Sequence, residues 1–340
     1  MAKREIPMRA IVIVPAGPAP KGQLELRDVP LPEPAPGQLR VRVRACAVNR
    51  ADLLQVAGHY PAPPDAPADI PGLELAGEVD AIGAGVSEFK VGDRVFGVVG
   101  GGAYAEAVVV YARTLAKIPD GVDDVQAAAI PEAFLTAYDA VVLQAGLSAG
   151  ETLLVHAVGS GVGTAAIQIA KAIGVRTIGT ARSEDKLGRA RELGLAAGVV
   201  PEVSADRSVH FASNVRALAG GQGVNVVLEL VGGRYVPDSL ASLADLGRLV
   251  LVGLMAGARA EIDLGLVLRR RLRVFGTVLR SRPLEEKIIA GQVLARHIAP
   301  LVGSGTLRAV VDRVMPLEQA ADAHAYVASN EGFGKVVLTL

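Results

Sequence analysis

Gly159, Gly161 and Gly163 crowd into five residues and leave a stretch of backbone that no side chain shields, so this is where the chain can meet a ligand. An apolar, β-branched run over 152–157 precedes them, long enough for a buried strand and too short for a helix. From Val162 the apolar residues recur at Ala166, Ile169 and Ile173, the spacing of one helix face. A second strand is predicted over 175–180. Strand, glycine turn, helix and strand make one βαβ unit. Such a turn admits a pyrophosphate close to the backbone, where the free N–H groups and positive dipole of the helix start attract it. The strict GxGxxG spacing is not kept, because Val158 and Ser160 occupy its first two glycine positions. The flanking elements nonetheless supply the context the motif requires. No Lys follows directly, which excludes a Walker-type phosphate loop. Ser160, Gly161, Val162 and Gly163 are therefore the predicted pyrophosphate-binding residues of a dinucleotide site.

The end of the second strand selects the dinucleotide. A carboxylate there would bond the adenosine ribose of NAD and repel a 2′-phosphate. This chain has Arg182 and Ser183 instead, with Lys186 one turn into the next helix, and all three can bond a phosphate. Each charge-assisted bond contributes about 1.5–3 kcal/mol before screening. NADPH is the expected cofactor. Glu184 and Asp185 lie close by, and a rotated loop could aim one at the ribose; a solvated helix start of mixed charge is the plain alternative.

These residues need elements to position them. At 340 residues the chain can hold two domains, and 51% hydrophobic composition makes it globular. Lys plus Arg equals Asp plus Glu at 35 each, so no global field draws nucleic acid or anionic lipid. Cys46 is alone and can form neither an internal disulfide nor a zinc lobe. No apolar segment approaches the roughly 20 residues that span a bilayer. Residues 1–7 are charged and the apolar run from Ala10 stops at Pro15, so no signal peptide is read and a cytoplasmic location is expected.

Short strands separated by Gly and Pro run through residues 1–125 and predict a β-rich domain, including 39–47, where apolar residues alternate with Arg. From 126 to 282 the grammar changes to Ala-rich helices alternating with apolar strands at 152–157, 175–180, 198–200, 226–230, 249–252 and 274–278. That alternation predicts a doubly wound parallel sheet, the Rossmann arrangement of an α/β protein. Residues 283–340 return with two helices, 283–298 and 317–328, and a final strand 335–340.

A β-rich domain, a dinucleotide domain and a return segment resemble the medium-chain dehydrogenase/reductase superfamily over nearly the whole chain. The motifs VNRADLLQVAGHYPAPP (48–64), PGLELAGEV (71–79), VGDRVFG (91–97), VHAVGSGVGTAAIQIAK (155–171), FGTVLRSRP (275–283) and GKVVL (334–338) are similar to those of its zinc-free quinone oxidoreductases, the zeta-crystallin-like branch. The resemblance implies that 1–125 and 283–340 form one GroES-like catalytic domain around the Rossmann domain 126–282. It also implies a homodimer or dimer-based tetramer, paired along the edge strand near Val274. Where zinc alcohol dehydrogenases place a ligating Cys and His, this chain has Asn49 and Leu73, which cannot supply a thiolate and an imidazole. No metal is expected. Without a Lewis acid, alcohol oxidation is disfavoured and hydride delivery to an electrophilic quinone remains feasible.

By the same resemblance Asn49 and Tyr60 stand beside the nicotinamide as donors to the acceptor oxygen, although a helix-capping Asn and a packed Tyr are the plain alternatives. Thr136, in EAFLTAYDA, corresponds to the hydroxyl that meets the carboxamide; Gly253 and Leu254 to the backbone over the nicotinamide ribose; Lys335 to a basic residue that reaches the cofactor phosphates. His156, Cys46 and Glu74 read as packed rather than reactive. LRRRLRV (268–274) carries four Arg without interleaved aromatics, so base stacking is not supported. An enone or enoyl reductase, and an NADPH-binding protein with a structural or RNA-binding role, remain the alternative functions.

Overall fold

Strands of a parallel sheet are covered on both faces and so need continuous apolar runs. The computed structural model, which describes residues 6–17 and 22–340, turns such runs into the centre of one sheet. Among the described residues this sheet has six strands, in spatial order Ala197–Val199, Arg176–Thr180, Thr152–Val155, Val224–Glu229, Leu243–Leu251 and Arg273–Gly276. All neighbouring pairs are parallel. The order doubles back on either side of Thr152–Val155, which is the Rossmann topology. At this switch point Leu153 pairs with Thr177 on one side and Val226 on the other. This α/β sheet and its helices form the unit Thr136–Val278.

Helix Gly161–Ala172 departs from the single apolar face expected of it. Every residue from Gly163 to Ala170 is buried, while Val162 and Ile173 are only half-buried. Its small side chains, Gly163, Thr164, Ala165 and Ala166, let surrounding chain approach on nearly all sides. Beneath it, a Cβ on Gly163 would lie 2.5 Å from the Ala157 carbonyl oxygen. Gly163 therefore serves close strand–helix packing, the role of the third glycine in dinucleotide turns.

The other unit, Met1–Leu135 with Leu279–Leu340, carries the GroES-like β domain. Its seven-stranded sheet, counted among the described residues, centres on Gln38–Val48, whose alternation Leu39, Val41, Val43, Ala45 is buried as predicted. Gln38–Val48 pairs antiparallel with Glu74–Ile82, with Ala107–Tyr111 and with the last strand, Lys335–Thr339. Strand Val311–Pro316, which apolar patterning does not reveal, runs parallel to Lys335–Thr339 with none of its residues fully buried. The register Val336 to Val48 sets Lys335 beside Asn49. Helix Asp124–Ala128 packs on strands of this sheet, so the β-rich unit continues past Val125.

Gly163→Ala places a methyl against backbone at 2.5 and 2.9 Å, from Ala157 and Val158. The variant is expected to lose about 1–3 kcal/mol of stability, seen as a lower denaturant midpoint. An unchanged midpoint would mean that helix and strand are not in this close contact.

Candidate functional site

In the α/β unit the candidate cofactor residues gather at the carboxyl ends of the strands, where open parallel sheets bind ligands. Ser160 caps helix Gly161–Ala172 and accepts from the Gly163 N–H at 3.0 Å. The N–H groups of Gly161 and Val162 belong to the first turn and have no acceptor within the helix. They are the donors that fit a pyrophosphate. Ala157 enters the turn at φ +48, a left-handed conformation uncommon for a residue with a Cβ.

Arg182 follows the second strand and is exposed. Ser183 caps helix Glu184–Leu193 and accepts from the Lys186 N–H at 3.4 Å. Glu184 is turned along its own helix to Arg191, 3.5 Å away, rather than back toward the strand end. Gly253 packs so tightly that a Cβ would lie 2.3 Å from the Leu230 carbonyl oxygen, while Leu254 next to it is 52% exposed. Thr136 lies half-buried in helix Pro131–Tyr138, and its hydroxyl makes no hydrogen bond among the described residues. Under the turn, buried His156 meets Thr180 Oγ1 at 2.8 Å and Ser239 Oγ at 2.9 Å, with Glu229 3.5 Å from Nε2. Burial lowers the imidazole pKa against the opposing charge of Glu229, so this histidine is neutral packing.

The second cluster lies in the β-rich unit. Lys335 is 5% exposed, and its Nζ donates to Asn49 Oδ1 at 2.6 Å and Val48 O at 3.3 Å and sits 2.7 Å from Glu74 Oε1. Two hydrogen bonds and an ion pair thus engage the ammonium within the unit. The contacts of Lys335 here are all inside the β-rich unit, whereas the family resemblance implies a cofactor phosphate as its partner. Asn49 Nδ2 donates to Glu74 Oε1 at 2.9 Å and Ala47 O at 3.2 Å. Both amide hydrogens and the carbonyl of Asn49 are therefore engaged, which leaves it a positioning group with no donor for an acceptor oxygen. Its backbone N–H donates to Asp52 Oδ2 at 2.7 Å, a reciprocal bond of helix Arg50–Val56. Asp52 also accepts from Gly72 N–H at 3.1 Å and from the buried Tyr104 hydroxyl at 3.4 Å; burial lifts its pKa to about 6.

Tyr60 is placed differently. Its ring lies 5.1 Å under the Arg280 guanidinium, and its carbonyl accepts from Arg280 Nη1 at 3.0 Å. Arg280, missed in the sequence reading, is buried and also ties down Gly100 O at 2.8 Å and Gln55 Oε1 at 2.6 Å. The Tyr60 hydroxyl has no partner among the described residues, so it is a donor in waiting. Burial raises its pKa, with the charge of Glu132 adding and that of Arg280 opposing. A cleft lined by Gly100, Gly101, Leu135 and Arg280 shares that arginine, but neither Tyr60 nor Asn49 is in its wall.

Glu132 is the other residue that sequence reading passed over. Its N–H donates to Glu74 Oε2 at 2.8 Å, while its own carboxyl makes no hydrogen bond among the described residues. Burial first, then the charge of Glu74, lifts its pKa to about 8. The helix N-terminus favours ionisation by only about 0.3–1 kcal/mol, and one pKa unit is about 1.4 kcal/mol, so burial wins.

The donor set does not fit zinc. Leu73 is buried hydrocarbon, Asn49 is saturated, and Cys46 lies buried in strand Gln38–Val48. No group of three or more His, Cys, Asp or Glu placed to hold a metal occurs among the described residues.

A model of the alcohol dehydrogenase GroES-like domain matches residues 35–120, and one described as zinc-binding dehydrogenase matches 161–292. The quinone oxidoreductase of Homo sapiens is 33% identical over 93% of this chain and 94% of its own length. The pikromycin polyketide synthase component PikAII of Streptomyces venezuelae is 38% identical over 91% of this chain, which spans only 8% of that protein. Among solved structures, a mycobacterial protein complexed with NADPH superposes with a TM-score of 0.84 at 30% identity, covering 98% of this chain and 100% of that one.

The engaged ammonium makes a distinct forecast. Lys335→Met strands a buried carboxylate and is expected to cost about 3–5 kcal/mol in urea unfolding, with part restored by adding Glu74→Gln. Wild-type unfolding together with weakened NADPH binding would instead put the ammonium at the cofactor.

Proposed function

The chain belongs to the medium-chain dehydrogenase/reductase superfamily, on its quinone oxidoreductase branch, and we propose that it reduces a quinone with NADPH and without zinc. The observation that carries the zinc-free part is the Lys335 ammonium, 2.6 Å from Asn49 and 2.7 Å from Glu74. A dication lodged beside it would meet like charge where the superfamily's metal stands. NADPH, when bound, supplies the hydride. The Gly161 and Val162 N–H groups fit its pyrophosphate, Arg182, Ser183 and Lys186 its 2′-phosphate, Thr136 its carboxamide, and the backbone of Gly253 and Leu254 its nicotinamide ribose. Tyr60 donates to the acceptor oxygen as negative charge develops there, an interaction that strengthens toward the transition state. Asn49 holds Lys335 and Glu74 in place.

The match to a polyketide synthase favours a second reading, in which the acceptor is an enone or enoyl thioester. Both acceptors gain a hydride at carbon or oxygen and charge on an oxygen, so the same Tyr60 serves either.

One stopped-flow experiment tests this reading: NADPH oxidation against a panel of quinones and enones, with and without a chelator. NADPH is expected to bind about ten- to several-hundred-fold tighter than NADH, and Arg182→Ala to weaken NADPH alone. Tyr60→Phe is expected to slow turnover about ten-fold, a modest loss because a quinone is already a strong acceptor. Turnover of no acceptor would leave a binding protein, and chelator-sensitive turnover would sink the zinc-free assignment.

Assembly belongs to the same proposal. Edge strand Arg273–Gly276 leaves Val274 40% exposed, and helix Leu264–Arg269 exposes Leu264 and Leu268 by 72% and 76%. An apolar edge invites pairing with a second copy. A cytoplasmic homodimer, or a tetramer built from it, is the expected state; no described helix is long and apolar enough to cross a membrane. Light scattering that returned the monomer mass at micromolar concentration would refute the dimer.

A further inference from the structure

We infer that Glu132 is the proton donor of the reaction, protonating the acceptor oxygen that Tyr60 polarises. The inference rests on the reductase reading and adds a residue to it.

Its placement carries the argument. Glu132 opens helix Pro131–Tyr138, and Thr136, the carboxamide-binding candidate, lies four residues on along the same helix face. The backbone of Glu132 is fixed by its N–H bond to Glu74, at 2.8 Å, while the residue as a whole is part-buried and its carboxyl makes no hydrogen bond among the described residues. A structural carboxylate at a helix start is ordinarily spent on a cap or an ion pair, and this one is not. The titratable and charged groups that act on it electrostatically are Glu74, Asp52, Lys335, Arg280 and Tyr60. Lys335 is already bound to Glu74 and Asn49, and Arg280 to three neutral acceptors. Burial first, then the charges of Glu74 and Asp52, outweigh the opposing charges of Lys335 and Arg280 and keep Glu132 in the acid form at neutral pH, in keeping with a pKa of about 8. Groups of this kind, perturbed and without a hydrogen-bond partner of their own, often mark functional sites.

The step balances. The acceptor takes a hydride, with its electron pair, from the reduced nicotinamide and gains negative charge on oxygen. The O–H bond of the Glu132 carboxyl breaks, a new O–H bond forms on that oxygen, and Glu132 is left as carboxylate. Beside Glu74 and Asp52 this carboxylate is unfavourable, and it recovers a proton from water.

Glu132→Gln keeps the shape and the N–H bond to Glu74 and cannot give a proton. With NADPH saturating and a simple benzoquinone as acceptor, wild-type turnover is expected to hold to about pH 8 and fall above it as Glu132 ionises. In Glu132→Gln turnover is expected to drop about ten- to a hundred-fold, with the alkaline limb gone and NADPH affinity unchanged. Two readouts need no turnover. The carboxylic C=O stretch in the infrared difference between wild type and Glu132→Gln should persist at neutral pH and vanish near pH 8. A folded-state pKa of about 8 against an ordinary 4.5 means that the folded chain holds an extra proton between these values, so wild type should lose stability relative to Glu132→Gln as pH rises through that window. An alkaline limb retained in Glu132→Gln, or an infrared band already lost at mildly acidic pH, overturns this inference alone. A wild-type chain inert toward every quinone and enone overturns the reductase reading and this inference with it.

Discussion

A buried ion pair is stable only when every lone pair and proton around it is used, because taking two charges out of water costs several kcal/mol per ion. Lys335 and Glu74 meet this condition. The ammonium makes two hydrogen bonds and lies against one Glu74 oxygen, which also accepts from Asn49, while the other Glu74 oxygen accepts from the Glu132 N–H. Asn49, the N-terminal residue of helix Arg50–Val56, and Glu132, in the first turn of helix Pro131–Tyr138, are thereby fixed to one point. The geometry of the β-rich site follows from it. Tyr60 and the Glu132 carboxyl are the polar groups left over once the pair is satisfied.

The fold was legible where side-chain period and burial agree. The parallel strands showed as apolar runs because both their faces are covered, and the first part of Gln38–Val48 showed as alternation because only one face is buried up to Arg44. Strand Val311–Pro316 did not show, since its place is set by backbone pairing with Lys335–Thr339 and none of its side chains is fully buried. Helix Gly161–Ala172 was read correctly as a helix and wrongly as one-sided, because small residues can be buried on all sides without forming a stripe.

The glycine turn was legible in the sequence, and the charge network of the β-rich unit was not. The turn announces itself because the backbone must come close to something. Lys335 looks in sequence like any exposed lysine at a strand end; only the register Val336 to Val48 turns it inward. Glu132 is hidden for a related reason, since an acid after a proline is an ordinary helix start and its unusual surroundings come from residues 52, 74 and 335. Asn49 shows the reverse error. Its type suited a donor, but one amide hydrogen goes to Ala47 nearby and the other to Glu74, distant in sequence.

The pairing of Val48 with Val336 also orders the making of the molecule. Unit Thr136–Val278 is one unbroken segment, whereas the β-rich unit is assembled from both ends of the chain. Residues 136–278 precede Lys335 in the chain, so during synthesis the α/β unit can be complete before the ammonium partner of Glu74 exists. Closing so long a loop adds only slowly to the entropic cost, yet the contact is absent until then. The sequence thus fixes a timetable as well as a shape: the nucleotide-binding half can be finished first, and the half with Tyr60 and Glu132 closes last.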